Sequence, residues 1–445
     1  MRGATLWTQG PLGTFQGDLL CQGTTIAAVG TALATPPGAL VVDGAGLHVT
    51  PGLIDCHNHS YVTGGVNEWT RTCTAEVRVA DVLESSTIRL YQQLAGGLTC
   101  ANVLHGSANA IGGQNAVIKL RWTEPPAGLL FTEAPQGIKW ALGENPKRSN
   151  WGELRSPRYP TSRMGVVEAI RERLVAARSY EAELERWRRD PRPGRVPPRI
   201  DLQLQALGEV LRGTRLVHCH SYRADEILAL LRLAEQMGFG VATFQHVLEG
   251  YKVADELAAH GAGASSFSDW WAYKFEVIDA IAYNAALMTR RGVLVSINSD
   301  SDELARRLNQ EAAKSLRWGG LSPEECLAMV TLNPARQLGV SEQVGSLEPG
   351  KQADFVVWSA PPLSTRAICQ ETWIEGRRYF QRARDGAAWA TGQVEREALL
   401  AAARAARWQK GARRITDWRP TFASQVRRRD DHEQRTCCPR REEGQ

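Results

Sequence analysis

The chain has 445 residues, of which 43% are hydrophobic and 23% charged, so it can bury a sizeable core and is not disordered throughout. It contains no run of about 18 uninterrupted apolar residues, so no membrane span is expected. The net charge is +5, but residues 382–445 alone hold 15 basic and 9 acidic residues, so the body of the chain gives no reason to expect a nucleic-acid partner.

The cysteine pattern bears on the cellular compartment. Nine cysteines, an odd number without a CxxC pair, argue against a disulfide framework and favour a reducing compartment. The first ten residues have no basic patch followed by an apolar run, so no secretory signal is expected. We therefore expect a cytoplasmic protein with a small-molecule substrate and no membrane partner, and a homo-oligomer is left open.

The N-terminal region predicts β-structure, because the apolar runs at 26–30 and 41–44 each end in glycine. Between residues 51 and 340, eight strand-like runs alternate with helical patterns. They lie at 52–54, 99–104, 116–120, 137–142, 216–218, 241–244, 262–266 and 293–297. This alternation over roughly 290 residues fits a (β/α)₈ or TIM barrel, whose typical size is about 250 residues. An open doubly wound sheet is the alternative.

Three segments predict helices, at 224–237, 302–318 and 322–332. In the third, Ser322 and Glu325 form a capping-box pattern around Pro323.

After residue 340 the strand pattern returns at 344–347, 353–358 and 372–375. Residues 1–50 and 341–381 therefore predict one small β-domain built from both ends of the chain, around an α/β domain at 51–340. The remaining residues, 382–445, predict a basic tail with an alanine-rich helix at 395–408 and a disordered end.

The strongest chemical signal is the segment PGLIDCHNH at 51–59. His57 and His59 are two residues apart, so in an extended strand both imidazoles point to the same face. Two imidazoles side by side can bind one divalent metal, although two histidines placed there by chance are the alternative. His220, His246 and Asp300 each stand where a strand-like run ends, which is where barrel enzymes build their active sites. This set suits one or two divalent metal ions, with Zn²⁺ favoured.

These residues bring the chain close to a known family. The motifs PGLIDCHNH (51–59), VHCH (217–220), FQH (244–246), SINSDS (296–301) and VGSLEPGKQADFVVW (344–358) stand in family order. With them, the chain resembles the amidohydrolase superfamily of metal-dependent hydrolases, and within it the imidazolonepropionase-like branch. The resemblance spans about residues 1–380 and implies a TIM barrel flanked by a β-sandwich domain, with the metal site at the barrel mouth.

The resemblance also implies roles for individual residues. His57, His59 and Asp300 would bind one metal ion, and His220 and His246 a second. Family members with two ions bridge them with a carboxylate, often a carbamylated lysine. Two residues could supply that bridge, Lys139 and, as the alternative, Glu144.

The predicted activity is hydrolysis of a C–N bond in a cyclic amide, an amide or a dipeptide-like compound, by metal-activated water with Asp300 as the proton shuttle. Substrate contacts are expected near the strand ends. The candidates are His105, Arg148, Tyr222 and Arg223. The competing hypotheses are a deaminase that acts on a ring amine, and a catalytically silent barrel whose basic tail binds a partner.

Overall fold

The structure is a computed structural model that describes residues 1–148, 158–190 and 194–409, and it shows an α/β protein. Its strands are β1 (Ala4–Trp7), β2 (Thr14–Gln22), β3 (Thr25–Gly30), β4 (His48–Pro51), β5 (Leu53–Asn58), β6 (Leu98–Val103), β7 (Ile111–Gln114), β8 (Ala116–Lys119), β9 (Gln136–Ala141), β10 (Arg215–Ser221), β11 (Thr243–His246), β12 (Gly263–Ser266), β13 (Val295–Ile297), β14 (Phe355–Trp358), β15 (Cys369–Ile374) and β16 (Arg377–Gln381). Its α-helices are α1 (Ile88–Leu94), α2 (Pro126–Leu129), α3 (Glu144–Lys147), α4 (Arg163–Arg189), α5 (Leu202–Leu211), α6 (Ala224–Met237), α7 (Ala254–His260), α8 (Asn284–Arg290), α9 (Leu308–Gly319), α10 (Pro323–Ala328), α11 (Leu332–Gln337) and α12 (Arg382–Gln409).

A seven-stranded sheet combines strands from both ends of the chain, in the order β16-β15-β14-β4-β1-β2-β3. Strand β4 lies at its centre, antiparallel to β14 and parallel to β1. Leu6, Val49 and Val357 are buried on its inner face with the other members of one apolar cluster. The ends of the chain are therefore held together by a shared core.

Two of the predicted strands are wrong. At 41–44, Asp43 makes only an isolated bridge to Arg2, and the Val41 side chain is exposed instead of packed into the core. The segment 344–347 is a turn because Gly345 has a φ of +96°, which interrupts an extended chain.

All eight runs predicted between residues 51 and 340 overlap strands β5, β6 and β8 to β13. Strands β9 to β13 pair in succession and in parallel, as βα repeats do. Strand β8, however, is antiparallel to β6, because residues 104–115 that join them contain strand β7 rather than a crossover helix. Within the described residues these strands and β7 form a six-stranded and a three-stranded sheet, so their closure into one barrel stays a prediction.

The chain passes directly from the terminal sheet into the central strands at Pro51 and Gly52. A Cβ atom on Gly52 would lie 2.1 Å from Oγ1 of Thr99. Glycine is therefore required for β5 to lie against β6, and this contact sets the start of the strand that carries His57.

The helix prediction at 224–237 is confirmed, whereas those at 302–318 and 322–332 hold in part, because α9 begins at Leu308 and α10 ends at Ala328. Helix α6 spans the predicted residues and ends at Gly238 in the left-handed conformation. The capping box of α10 is present, with the Ser322 hydroxyl accepting from Glu325 N at 3.2 Å. The predicted tail helix lies inside the longer α12, and the predicted disordered end falls outside the described residues.

Two further findings concern the whole described part of the chain. Its seven cysteines are all free thiols. None of its helices combines the length and the apolar character needed to cross a membrane.

Candidate metal centre

The residues singled out from the sequence lie at the carboxyl ends of the central strands. In the parallel register Ser221 of β10 lies opposite His246 of β11, which lies opposite Ser266 of β12. The last residues of neighbouring strands therefore stand at one edge. The loop after β13 reaches the same edge, since Asp300 N donates to the His57 carbonyl oxygen at 3.1 Å.

Three of the predicted ligand atoms converge closely. Nε2 of His57 lies 3.1 Å from Nε2 of His59. The Asp300 Oδ1 atom lies 3.6 Å from the first of these nitrogens and 3.2 Å from the second. Ligands about 2.1 Å from one tetrahedral zinc ion are roughly 3.4 Å apart. The spacing therefore suits a single ion.

His246 extends this cluster on the opposite side of Asp300. Its Nε2 atom is 3.8 Å from Oδ2 of Asp300, and its ring centroid is 4.6 Å from that of His57. Ligand atoms of His57, His246 and Asp300 all lie within 4.8 Å of one another and could hold a metal ion.

Both His246 and Asp300 have left-handed backbone conformations, with φ of +69° and +42°. Such conformations are uncommon in residues other than glycine, although Asp and His adopt them more often than most, and they cluster at functional sites. Here each turn aims a polar side chain back toward His57 instead of letting the strand direction continue.

The pKa shifts in this cluster favour neutral His57 and His246 and an ionised Asp300. Burial, and then the positive charge of Lys139, hold the pKa of His57 well below its usual value, and burial lowers the pKa of His246 to about 3. Burial raises the pKa of Asp300, but the hydrogen bond and charge of His59 together with the charges of His246 and Lys139 more than offset this, so the net pKa is lowered. Metal ligands need these protonation states.

The surroundings of the His246 imidazole show whether this cluster fits a metal ion. His246 is fully buried, and neither ring nitrogen has a hydrogen-bond partner among the described residues. A buried polar atom without a partner is unfavourable, and a neutral imidazole has one nitrogen whose lone pair can be satisfied by a proton donor or by a metal ion. A divalent ion would accept the lone pair of Nε2, and the residues therefore fit a metal.

His220 lies beside His246 with their ring centroids 4.8 Å apart, and its Nε2 is 3.4 Å from Nδ2 of Asn145. Tyr222 packs edge-on against His220 at 4.6 Å and stacks on His246 at 5.6 Å. Phe267 also stacks on His246, with ring centroids 4.4 Å apart. Two aromatic rings therefore pack against His246.

The two candidate bridging residues are placed differently. Nζ of Lys139 lies 3.1 Å from Nε2 of His57, inside the histidine cluster. The Glu144 carboxylate lies on helix α3, 3.9 Å from Nζ of Lys274. The geometry favours Lys139.

All four predicted substrate contacts have structural partners, and that of Tyr222 is the hydroxyl of Tyr273 at 2.9 Å. Both ring nitrogens of His105 bond to backbone, at Gly106 O (2.9 Å) and Glu68 N (2.8 Å). Arg223 forms two hydrogen bonds to Asp225, of 3.0 and 3.1 Å. The Arg148 guanidinium lies 4.9 Å above the ring of Trp69. Of the four candidates, Tyr222 is the one that packs on the histidines.

Comparison with known proteins decides the family. Residues 217–381 match the sequence model of the Amidohydrolase family. The crystal structure of an amidohydrolase from Thermotoga maritima MSB8 is similar with a TM-score of 0.79 at 31% identity, over 86% of this chain and 99% of that one. This chain belongs to the amidohydrolase superfamily.

Two curated relatives are less similar to this chain in sequence than the Thermotoga amidohydrolase is. Amidohydrolase tasK of Hapsidospora irregularis is 28% identical over 426 residues, which are 85% of this chain and 43% of tasK. The chain thus spans less than half of tasK. An imidazolonepropionase of Mesorhizobium japonicum is 25% identical over 357 residues, covering 72% of this chain and 80% of that protein.

Sequence reasoning missed one residue, which joins the segment that carries His57 to the loop that carries Asp300. The fully buried Asp55 accepts from the backbone N atoms of His57 at 3.2 Å and Ser299 at 3.1 Å. Its second oxygen accepts from Nδ2 of Asn58 at 3.0 Å and from the Ser299 hydroxyl at 2.5 Å. It lies in the PGLIDCHNH motif, so the signal was present, but its partner lies 244 residues away.

We expect Asp55→Asn to lower the free energy of unfolding by about 1–3 kcal/mol, because the new amide NH₂ would face donors where the carboxylate accepts. Urea denaturation of this amidohydrolase measures the change. The surface variant Asp81→Asn, which alters an exposed ion pair with Arg78, is the control. Equal stability of Asp55→Asn and wild type would contradict the role of the Asp55 carboxylate in joining the two segments.

Proposed function

We propose that this chain is a metal-dependent hydrolase that cleaves a C–N bond in a small cyclic amide, amide or dipeptide-like substrate in the cytoplasm. The observation that carries the proposal is the convergence of the His57, His59 and Asp300 ligand atoms next to the orphaned nitrogens of His246. The relatives named amidohydrolase and imidazolonepropionase support the reaction class.

The proposal includes the finer architecture. The central strands would form a (β/α)₈ barrel over residues 51–340, distorted at antiparallel β8. Residues 1–50 and 341–381 would form the flanking β-sandwich, and 382–445 a dispensable tail. The backbone hydrogen bond from Asp300 to His57 supports this arrangement, since it joins the first central strand, β5, to the loop that follows the last, β13.

In the proposed ligand set, His57, His59 and Asp300 would hold one ion and His220 and His246 would hold a second, with Lys139 as the candidate bridging ligand if it is carbamylated. Imidazole and carboxylate donors favour zinc among the common divalent ions. A divalent ion bound there supplies Lewis acidity that polarises a carbonyl group and activates water at neutral pH.

Asp300 is the proposed proton shuttle. Its lowered pKa keeps the carboxylate ionised at neutral pH, so it can accept a proton from the attacking water. The same oxygen can then deliver that proton to the leaving nitrogen as the C–N bond breaks. Tyr222, whose ring packs on His220 and His246, is the proposed substrate contact.

Metal removal tests the proposal. We expect the purified protein to contain zinc or a similar divalent metal, and to lose its hydrolysis of a panel of N-acyl amino acids, dipeptides and cyclic amides when dialysed against a chelator. Added Zn²⁺ should restore it, whereas Ca²⁺ should not, because calcium prefers oxygen ligands. A folded protein that neither contains nor binds a divalent transition metal would support the silent-barrel hypothesis instead.

A further inference from the structure

Nδ1 of His57 contacts a buried side chain, Gln245, that has no part in the proposed chemistry. Nε2 of His57 faces His59 and Lys139, whereas Nδ1 lies 3.1 Å from Oε1 of Gln245. Gln245 is fully buried. A neutral imidazole carries one proton, so the partner at Nδ1 decides whether Nε2 presents a lone pair.

The Gln245 amide is itself held by neighbours. Its Nε2 atom donates to Oγ1 of Thr243 at 2.7 Å, and this hydroxyl lies 2.6 Å from Nδ1 of His218. Thr243 and His218 are buried too. With the amide NH₂ committed to Thr243, the amide oxygen faces His57 and accepts from Nδ1–H.

His59 shows the same arrangement with a different acceptor. Its Nδ1 lies 2.8 Å from the backbone carbonyl oxygen of Leu104, which can only accept a hydrogen bond. Both histidines of the motif thus place the proton on Nδ1 and direct Nε2 into the cluster. For His57, however, the acceptor is a side chain that substitution can remove.

We infer that Gln245 is a positioning residue that fixes His57 as the Nδ1–H tautomer with its Nε2 lone pair directed at the metal, and that Thr243 holds the Gln245 amide in the required orientation. This inference rests on the proposed function. Partners that orient a histidine ligand typically change metal affinity by about 10- to 100-fold when they are removed.

Zinc affinity of the metal-free protein, measured by competition with a chromophoric chelator, tests the inference. Gln245→Leu removes the acceptor and should weaken zinc binding by about 10- to 100-fold. Gln245→Glu keeps an oxygen opposite Nδ1 and should bind zinc at least as tightly as wild type. Thr243→Val frees the amide to turn and should weaken binding by about tenfold.

A matched control separates positioning from general loss of packing. Gln337 is another buried glutamine, hydrogen-bonded to Ser296 and to the backbone of Ala264 and Leu294. Gln337→Leu should lower the thermal midpoint of the metal-free protein and leave zinc affinity unchanged. Gln245→Leu should weaken zinc binding even if its thermal midpoint falls no further than that of Gln337→Leu.

The outcomes are distinguishable. A wild-type protein that binds no Zn²⁺ overturns the proposed function and this inference with it. A wild type that binds Zn²⁺ while Gln245→Leu binds equally well overturns the inference alone. If Gln245→Leu does not fold, Gln245→Glu and Thr243→Val decide, and weak binding by the first or unchanged binding by the second overturns the inference.

Discussion

Replacing Asp300 with asparagine is expected to lower kcat by about 10²- to 10⁴-fold, the range that a positioned proton-transfer group contributes. Asparagine is nearly the same size, so the left-handed backbone and the contact with His59 can persist, but the amide cannot accept the proton from water. The measurement is kcat on any amide that the wild type hydrolyses, together with the zinc content of the variant.

Asp302 provides the matched control, because it lies in the same loop but forms a partly exposed ion pair with Arg89 at 2.7 Å. Asp302→Asn should leave kcat nearly unchanged, as surface ion pairs contribute little. If Asp300→Asn retained zinc and also wild-type kcat, Asp300 would be a ligand or a structural residue and not the proton shuttle.

The sequence predicts the components of this site because they obey local rules. The spacing of His57 and His59 follows from the alternation of side chains along a strand. His246 and Asp300 could be found because parallel strands end at a common edge. In both cases the prediction needs only the strand position, and the structure has strands at all eight predicted places.

Contacts between distant segments could not be predicted in the same way. Gln245 lies 188 residues from His57, and Ser299 lies 244 residues from Asp55. Each is an ordinary polar residue until the fold brings its partner within hydrogen-bond distance. The choice between Lys139 and Glu144 likewise depends on where β9 ends, and the ends of elements are the least certain part of any pattern.

The antiparallel course of β8 shows the same limit. Its apolar run predicts a strand, but the run alone does not give a direction. The direction follows from the connection, in which β7 replaces the helix that a parallel crossover needs. The left-handed turns at His246 and Asp300 could not be predicted from residue type either, since His and Asp adopt this conformation far less often than glycine does.

The second large effect is expected at a buried ion pair between the central strands and the terminal sheet. Nζ of Lys119 on β8 lies 2.6 Å from Oδ2 of Asp354, next to β14, and both side chains are almost fully buried. Lys119→Met would leave the Asp354 carboxylate buried without its cation. We expect the free energy of unfolding to fall by about 3–5 kcal/mol, measured by urea denaturation.

The double variant Lys119→Met with Asp354→Asn should recover most of that loss. It removes both charges, while Oδ1 at position 354 can still accept from Glu375 N, a bond of 2.8 Å in the wild type. Recovery would show that the cost of Lys119→Met comes from an unpaired buried charge and not from lost packing around Phe131, over which Nζ lies at 4.6 Å. Equal loss in the single and double variants would place the cost in packing instead.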